Sequence, residues 1–414
     1  MPSYPKNYPF YNWMPKPLGI IILLFFFLPI LTVGGVYSVN STEMMSGLGI
    51  ISEHIQFANF VTSIGMAAFA PFLYELVCVR REKMMCIVGF ALMYIFSYIC
   101  AKTDSVFLLA LCSLLTGFLR MVLMMVNLFT LIWYAGGMEA TRNITPGLEP
   151  KDAAGWNKLD IERCVSQPAV YLFFMILGQS GTALTAWLSF EYEWKYVYYF
   201  MMGILLISIL LLFITMPNYK FPGRFPINFR KFGNVTAFCV SLTCLTYVLV
   251  YGKVLDWYDD GSIRWATAVS ILFAGIFLYM DAPRRSPYVL LDAFKLRTIR
   301  MGALLYLLLM IINSSAMFVN VFTGVGMKID NWQNASLGNW TMLGYFIGCI
   351  IAVMLGSRGV HLKYLFSLGF VLIGLSALFM YFEVQTSGLY ERMKYPVIIR
   401  ATGMMLLYSL TAVH

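Results

Sequence analysis

The sequence predicts an all-α fold, a polytopic transmembrane helical bundle, and three observations predict it. Twelve apolar stretches, most of them 18 to 25 residues long, follow one another from Pro17 to His414. A helix rising 1.5 Å per residue needs about 20 apolar residues to cross the hydrocarbon of a bilayer. The composition is 60% hydrophobic and 12% charged, with a mean hydropathy of +0.75, which is more apolar surface than one water-soluble core could hide. The loops between the stretches also alternate between basic and acid-leaning, as the two faces of a membrane require.

A Pro- and Tyr-rich tail, residues 1–16, comes first. The crossings are expected near 18–38, 55–77, 84–101, 105–134, 168–189, 196–216, 234–252, 264–281, 302–325, 338–356, 364–382 and 396–414. The first is too long for the apolar core of a signal peptide and lacks a small-residue cleavage site, so it reads as a spanning helix. Residues 17–216 form a six-helix bundle with an insertion at 136–167, expected over the inner face as a short amphipathic or irregular segment. Residues 217–300 hold a Pro-broken linker, two further crossings and a basic connection, and 301–414 hold the last four crossings. With the N-terminus inside, twenty of the 29 basic residues fall in cytoplasmic loops, among them Arg80, Arg81, Arg230, Lys231, Arg284 and Arg285. The opposite loops carry Glu43, Glu53, Asp256, Asp259, Asp260, Glu383 and Glu391. The positive-inside rule therefore places the N-terminus of this multi-pass protein in the cytoplasm.

A net charge of +9 raises the question of nucleic acid, but the basic residues are spread over separate inner loops. Contact with anionic lipid headgroups accounts for them, and no nucleic-acid partner is expected. The eight cysteines lie almost entirely in apolar segments, form no CxxC pair and read as small core residues. With His54, His361 and His414 far apart, no metal site is expected. The chain also lacks a Walker-type phosphate loop, a nucleophile elbow, an HExxH pair and a paired carboxylate at membrane depth. No enzyme activity, catalytic residue or cofactor is expected.

Arg120 is the most informative residue. It stands near the middle of a long apolar run, where an arginine costs about 2.5–3.5 kcal/mol to insert. Either it faces a water-filled cavity and binds an anionic group or tunes a proton site, or it is satisfied by helix carbonyls and hydroxyls. Arg400 repeats the situation in the last crossing, nearer a predicted end, where it is either a site residue or a snorkelling side chain. Gln56, Asn59 and Ser63 recur at three and four residues, hence on one helix face. Like Gln179 and Asn313 in later crossings, they line a pathway or join helices by hydrogen bonds. Gly178 and Gly181, and the GxxxG pair Gly344 and Gly348, permit close helix contact.

Several stretches resemble the major facilitator superfamily, and within it the fourteen-span drug:proton antiporter branch. Gly178-Gln-Ser-Gly181 followed by Trp194-Lys195-Tyr196 resembles the family's Gly-rich stretch and aromatic-basic-aromatic triplet around the fifth and sixth helices. Arg120 occupies the place of the fourth-helix arginine. Tyr251-Gly-Lys-Val-Leu-Asp-Trp-Tyr258, with Asp256 and Trp257, is similar to the outer loop after the seventh helix. Leu291-Asp-Ala-Phe-Lys-Leu-Arg297 is similar to the inner segment before the ninth. Glu75 with Arg80 and Arg81 resembles the charged latch of the inner gate, although the family's glycine is missing there. The first helix lacks the acid that many relatives use in proton coupling.

The resemblance implies a two-bundle architecture with two extra central helices and fourteen crossings. Twelve are present, so the C-terminal bundle is expected to be incomplete. It further implies a secondary active transporter that exports amphiphilic, drug-like molecules by proton antiport and alternating access. Its partners would be the lipid bilayer, a small amphiphilic substrate, protons, and for passage across two membranes a periplasmic adaptor and an outer-membrane channel. A non-transporting membrane scaffold or receptor that retains the fold is the alternative.

Overall fold

The computed structural model describes residues 9–32, 40–70, 81–103, 105–142, 158–218, 229–281, 294–314, 322–323, 327–358, 360, 362–385 and 390–411. Every regular element among them is helical. The α-helices are α1 (Lys16–Thr32), α2 (Ser41–Leu48), α3 (Ser52–Phe69), α4 (Glu82–Lys102), α5 (Val106–Arg142), α6 (Lys158–Glu191), α7 (Trp194–Thr215), α8 (Phe229–Tyr251), α9 (Gly261–Asp281), α10 (Arg297–Ser314), α11 (Asn331–Ser357), α12 (Leu362–Gln385) and α13 (Lys394–Thr411). All but α2 coincide with the twelve apolar stretches. Among the described residues, α4 to α9, α11 and α12 contain segments long and apolar enough to cross a membrane, and α1 and α10 are shorter apolar helices. The all-α polytopic reading is therefore borne out. Its outward faces carry side chains such as Trp265, Ile271 and Tyr279, as helices solvated by lipid must.

Two local features differ from the sequence expectation. The short α2 was not expected; it ends where Gly49 takes φ 65 and its N–H caps the Met45 carbonyl, a conformation that glycine adopts without steric cost. Helix also runs through Arg142 and resumes at Lys158, so both described ends of the 136–167 insertion continue their crossings.

The chain divides into two compact units: Met1–Thr141 with Leu188–Leu291, and Arg142–Trp187 with Asp292–His414. In the first, α1, α4, α5 and α7 share a core built on Leu23, Phe26, Phe90, Met93, Leu123, Met201 and Leu205. The tail enters this core as well: Phe10, 1% exposed, sets its ring edge-on to Tyr134 at 5.1 Å, and the Tyr11 N–H donates to the Thr215 carbonyl at 3.2 Å, closing the end of α7. On another side α3 crosses α5 through Gly65 and Gly117. A Cβ on Gly65 would strike the Leu114 carbonyl oxygen, and one on Gly117 the Thr62 carbonyl oxygen.

Helices α8 and α9 form a hairpin in the same unit. Ser241 Oγ donates to the Ser270 carbonyl at 3.0 Å, and Ser270 Oγ to the Ser241 carbonyl at 2.9 Å. At one end Asn234 Nδ2 donates to Asp281 Oδ1 at 3.1 Å. At the other the Ser262 N–H donates to the Asp260 carboxylate at 2.5 Å, which caps α9 and holds that carboxyl below its usual range. The hairpin packs on α3 where Phe57 and Val61 meet Val248, Tyr251 and Ile263. His54 Nδ1 and the Tyr251 hydroxyl lie 2.5 Å apart at this junction.

The turn between α8 and α9 explains its own sequence. Asp256 and Trp257 both have positive φ, 48 and 54, a region that costs a non-glycine residue roughly 1–2 kcal/mol. The Trp257 N–H compensates by donating to the Gly252 carbonyl at 2.6 Å. A Cβ on Gly252 would come 2.6 Å from the Trp257 ring and 2.7 Å from the Val248 carbonyl oxygen. Gly252→Ala is expected to push the indole off the helix end and destabilise the protein by about 1–3 kcal/mol, read as a lower melting temperature with raised Trp exposure to a water-soluble quencher.

In the second unit α13 packs against both α11 and α12. Gly344 and Gly348 bring α11 against Ile398, Thr402 and Met405, and Gly369 of α12 meets Gly403 and Leu407 of α13. The GxxxG pair thus marks a real helix contact, and Thr402 Oγ1 seals it by donating to the Gly344 carbonyl at 3.1 Å.

Candidate functional site

The site grows from two arginines that the chain must insert at a cost. Arg120 lies 14 residues into α5. Its Nε donates to the Ile30 carbonyl at 2.7 Å and its Nη2 approaches the Leu31 carbonyl at 3.5 Å. These oxygens belong to the last described turn of α1. The guanidinium therefore ties α5 to α1 through backbone oxygens.

Arg400 on α13 does the same to α10. Its Nη2 donates to the Asn313 carbonyl at 2.8 Å and lies 3.4 Å from the Ile312 carbonyl, again in the last described turn of the helix. The correspondence extends beyond one residue. A shift of 280 positions takes Arg120 to Arg400, Gly89 to Gly369 and Leu123 to Gly403. Gly89 packs on Leu123 just as Gly369 packs on Gly403. Each unit thus contains a helix whose carbonyls are bonded by an arginine on a partner helix, and that partner is approached through a glycine on a third.

The remaining sequence candidates distribute as follows. Gln56, Asn59 and Ser63 share the face of α3 turned away from the Gly65 crossing and from the Phe57–Val61 contact; Gln56 and Ser63 are exposed and Asn59 is half-buried. The Gln179 amide of α6 lies over Gly338 of α11, where a Cβ would come 2.6 Å from Nε2. Asn313 contributes its backbone carbonyl to Arg400, and its side chain is exposed. Gly181 is buried within α6, whereas a Cβ on Gly178 would meet nothing within 4 Å. Trp194, 4% exposed, packs its indole on Gly47 of α2, and Lys195 Nζ stands 5.6 Å from the centre of the same ring. Asp256 and Trp257 build the α8–α9 turn. Arg81 is exposed at the start of α4, while Glu75 and Arg80 lie outside the described residues. The structure thus brings together Arg400 with Asn313, and Trp194 with Lys195.

Sequence reasoning missed Asp281, a carboxylate at the end of α9 that is 6% exposed and bonded to Asn234. The available signal was an acid closing an otherwise apolar helix. It also missed Tyr345 and Tyr408, which pack on the apolar cluster of Leu309, Ile373, Met404 and Leu407 and lie within electrostatic reach of Arg400. Among the described residues no group of His, Cys, Asp and Glu could hold a metal ion.

No protein-family model matches the chain, and no curated protein matches it in sequence. Solved structures do resemble it. The proton:xylose symporter XylE of the major facilitator superfamily, bound to 6-bromo-6-deoxy-D-glucose, superposes with a TM-score of 0.52 at 11% identity, over 97% of this chain and 82% of that one. An auto-inhibited peptide transporter of the POT family gives 0.48 at 12% identity, over 96% and 82%. The first likeness establishes the fold: the chain is a multi-pass membrane protein with the architecture of major facilitator superfamily transporters.

Proposed function

We propose that this protein is a secondary active transporter of the inner membrane, with its N-terminus in the cytoplasm, which exports amphiphilic small molecules by alternating access coupled to protons. The observation that carries this reading is the repeated bond from an arginine to backbone carbonyls of another helix. Two intramembrane cations, each tied to a neighbouring helix and each in a different unit, form the kind of internal repeat from which alternating-access carriers are built. Intramembrane ionisable residues mark pathways by default, because their insertion cost must be offset. The drug-like substrate class and the antiport direction come from the sequence resemblance, as do an adaptor and outer channel as export partners.

The scaffold reading has one observation in its favour. Among the described residues no carboxylate pairs with Arg120 or Arg400, and a proton-coupled carrier needs a group that exchanges a proton within its cycle. Proteoliposomes holding the purified chain separate the two. With an imposed proton gradient, a lipophilic fluorescent dye should move in the direction opposite to the protons and stop on addition of a protonophore. Dye movement that ignores the gradient would remove the antiport, and no movement of any amphiphile would leave the scaffold.

A further inference from the structure

The two arginines are not equivalent. Arg120 spends both Nε and Nη2 on carbonyls of α1, whereas Arg400 reaches α10 through Nη2 alone. A guanidinium has five N–H donors, and no described residue takes the Nε or Nη1 hydrogens of Arg400. The Nη2 bonds hold the guanidinium in place. The side chain is half-buried in the second unit. No described carboxylate neutralises it.

Beside it stand phenols from two helices: Tyr345 of α11 and Tyr408 of α13 lie within electrostatic reach of Arg400. Tyr345 and Tyr408 rest on the same apolar cluster as Phe366 and Phe370. One cation with free donors, phenolic O–H groups beside it and aromatic walls behind them suit one kind of guest. Its charged end must be an anion that accepts an N–H bond from the guanidinium and O–H bonds from the phenols beside it, and its body must be flat and apolar.

We propose that Arg400, with Tyr345 and Tyr408, binds the carboxylate of an aromatic acid. A carboxylate supplies a counter-charge that no described residue gives Arg400, and the phenols donate to its remaining lone pairs. This deepens the transporter reading by naming a substrate class, and rests on it for the site's place on a transport path. The binding itself does not depend on transport.

The test uses the purified full chain in detergent and three naphthalene probes that differ in charge: 1-naphthoate, 1-naphthylmethylamine and 1-naphthalenemethanol, followed by equilibrium dialysis. Saturable binding of the naphthoate, at least about tenfold tighter than of the other two, is expected. Tyr345→Phe and Tyr408→Phe keep the ring and delete only the donor, so packing survives, and each should weaken naphthoate binding by about three- to tenfold. Arg400→Gln should weaken it by about thirtyfold or more. Tyr279→Phe, on an outward face of α9, should change nothing. Equal affinity for the amine, or undiminished naphthoate binding in both Tyr→Phe variants, overturns the proposal. Naphthoate that binds but never crosses the vesicle membrane leaves the site standing and sinks the carrier. Proton-driven dye transport without naphthoate binding does the reverse.

Discussion

Gly117→Ala is expected to lower stability by about 3 kcal/mol and to do so by parting two helices. The added methyl would meet the Thr62 carbonyl oxygen and come 2.9 Å from the Thr62 carbonyl carbon. These are backbone atoms of α3, so no rotamer change relieves the contact. Overpacking of a rigid interior costs about 1–3 kcal/mol and more where the backbone must move. In lipid the loss is felt fully, because helices associate there through close packing and not through exclusion of water. Gly65→Ala strikes the same crossing from the other side, against Leu114 and Phe118. The double variant should therefore cost less than the two single costs added, since the first substitution already moves the helices apart. Gly203→Ala is the control: nothing lies within 4 Å of its Cβ position, and relief of backbone freedom should make it neutral or stabilising by up to about 1 kcal/mol. Melting of the purified protein in detergent decides the matter. A Gly117→Ala variant that melts with the unmodified protein would show that α3 and α5 do not cross as closely as described.

What could be read from the sequence divides along a physical line. The eight described helices long enough to cross a membrane were legible because each answers to a single local requirement, a run of apolar residues long enough to satisfy its own backbone in hydrocarbon. The eight-residue α2 was not, because STEMMSGL is short and mixed, and its position depends on Trp194 packing on Gly47 from a different part of the chain. Gly344 and Gly348 could be seen as a contact because their spacing of four places them on one helix face. Gly65 and Gly117 could not, since neither has a second glycine four residues away in its helix and only the crossing pairs them. The cost of Arg120 was likewise evident from its apolar surroundings. Its relief was not, because the oxygens that accept its protons come from Ile30 and Leu31, some 90 residues earlier. The phenols beside Arg400, Tyr345 and Tyr408, come from two helices with no common spacing, which is why tyrosine-rich segments alone did not point to them.

Arg120→Met is expected to leave the protein folded and to reduce transport at least about tenfold. Two effects of similar size oppose each other in this variant. Removing a guanidinium from membrane depth relieves about 2.5–3.5 kcal/mol of insertion cost. It also removes the bonds from a charged donor to the Ile30 and Leu31 carbonyls, each worth about 1.5–3 kcal/mol. The Ile30 contact at 2.7 Å is a full hydrogen bond and the Leu31 contact at 3.5 Å a weak one, so the second effect lies toward the lower part of its range. The two nearly cancel, and the melting point should shift little. Orientation does not cancel: two donors in a rigid fork fix α1 against α5, and a methionine fixes nothing. Arg120→Lys keeps the charge but offers a single point of attachment, so it should retain stability and recover only part of the transport. Vesicle flux and melting measured on the same preparations separate the outcomes. A Met variant that transports normally would reduce Arg120 to a structural tie, and one that fails to fold would mean that the lost bonds outweigh the relieved charge.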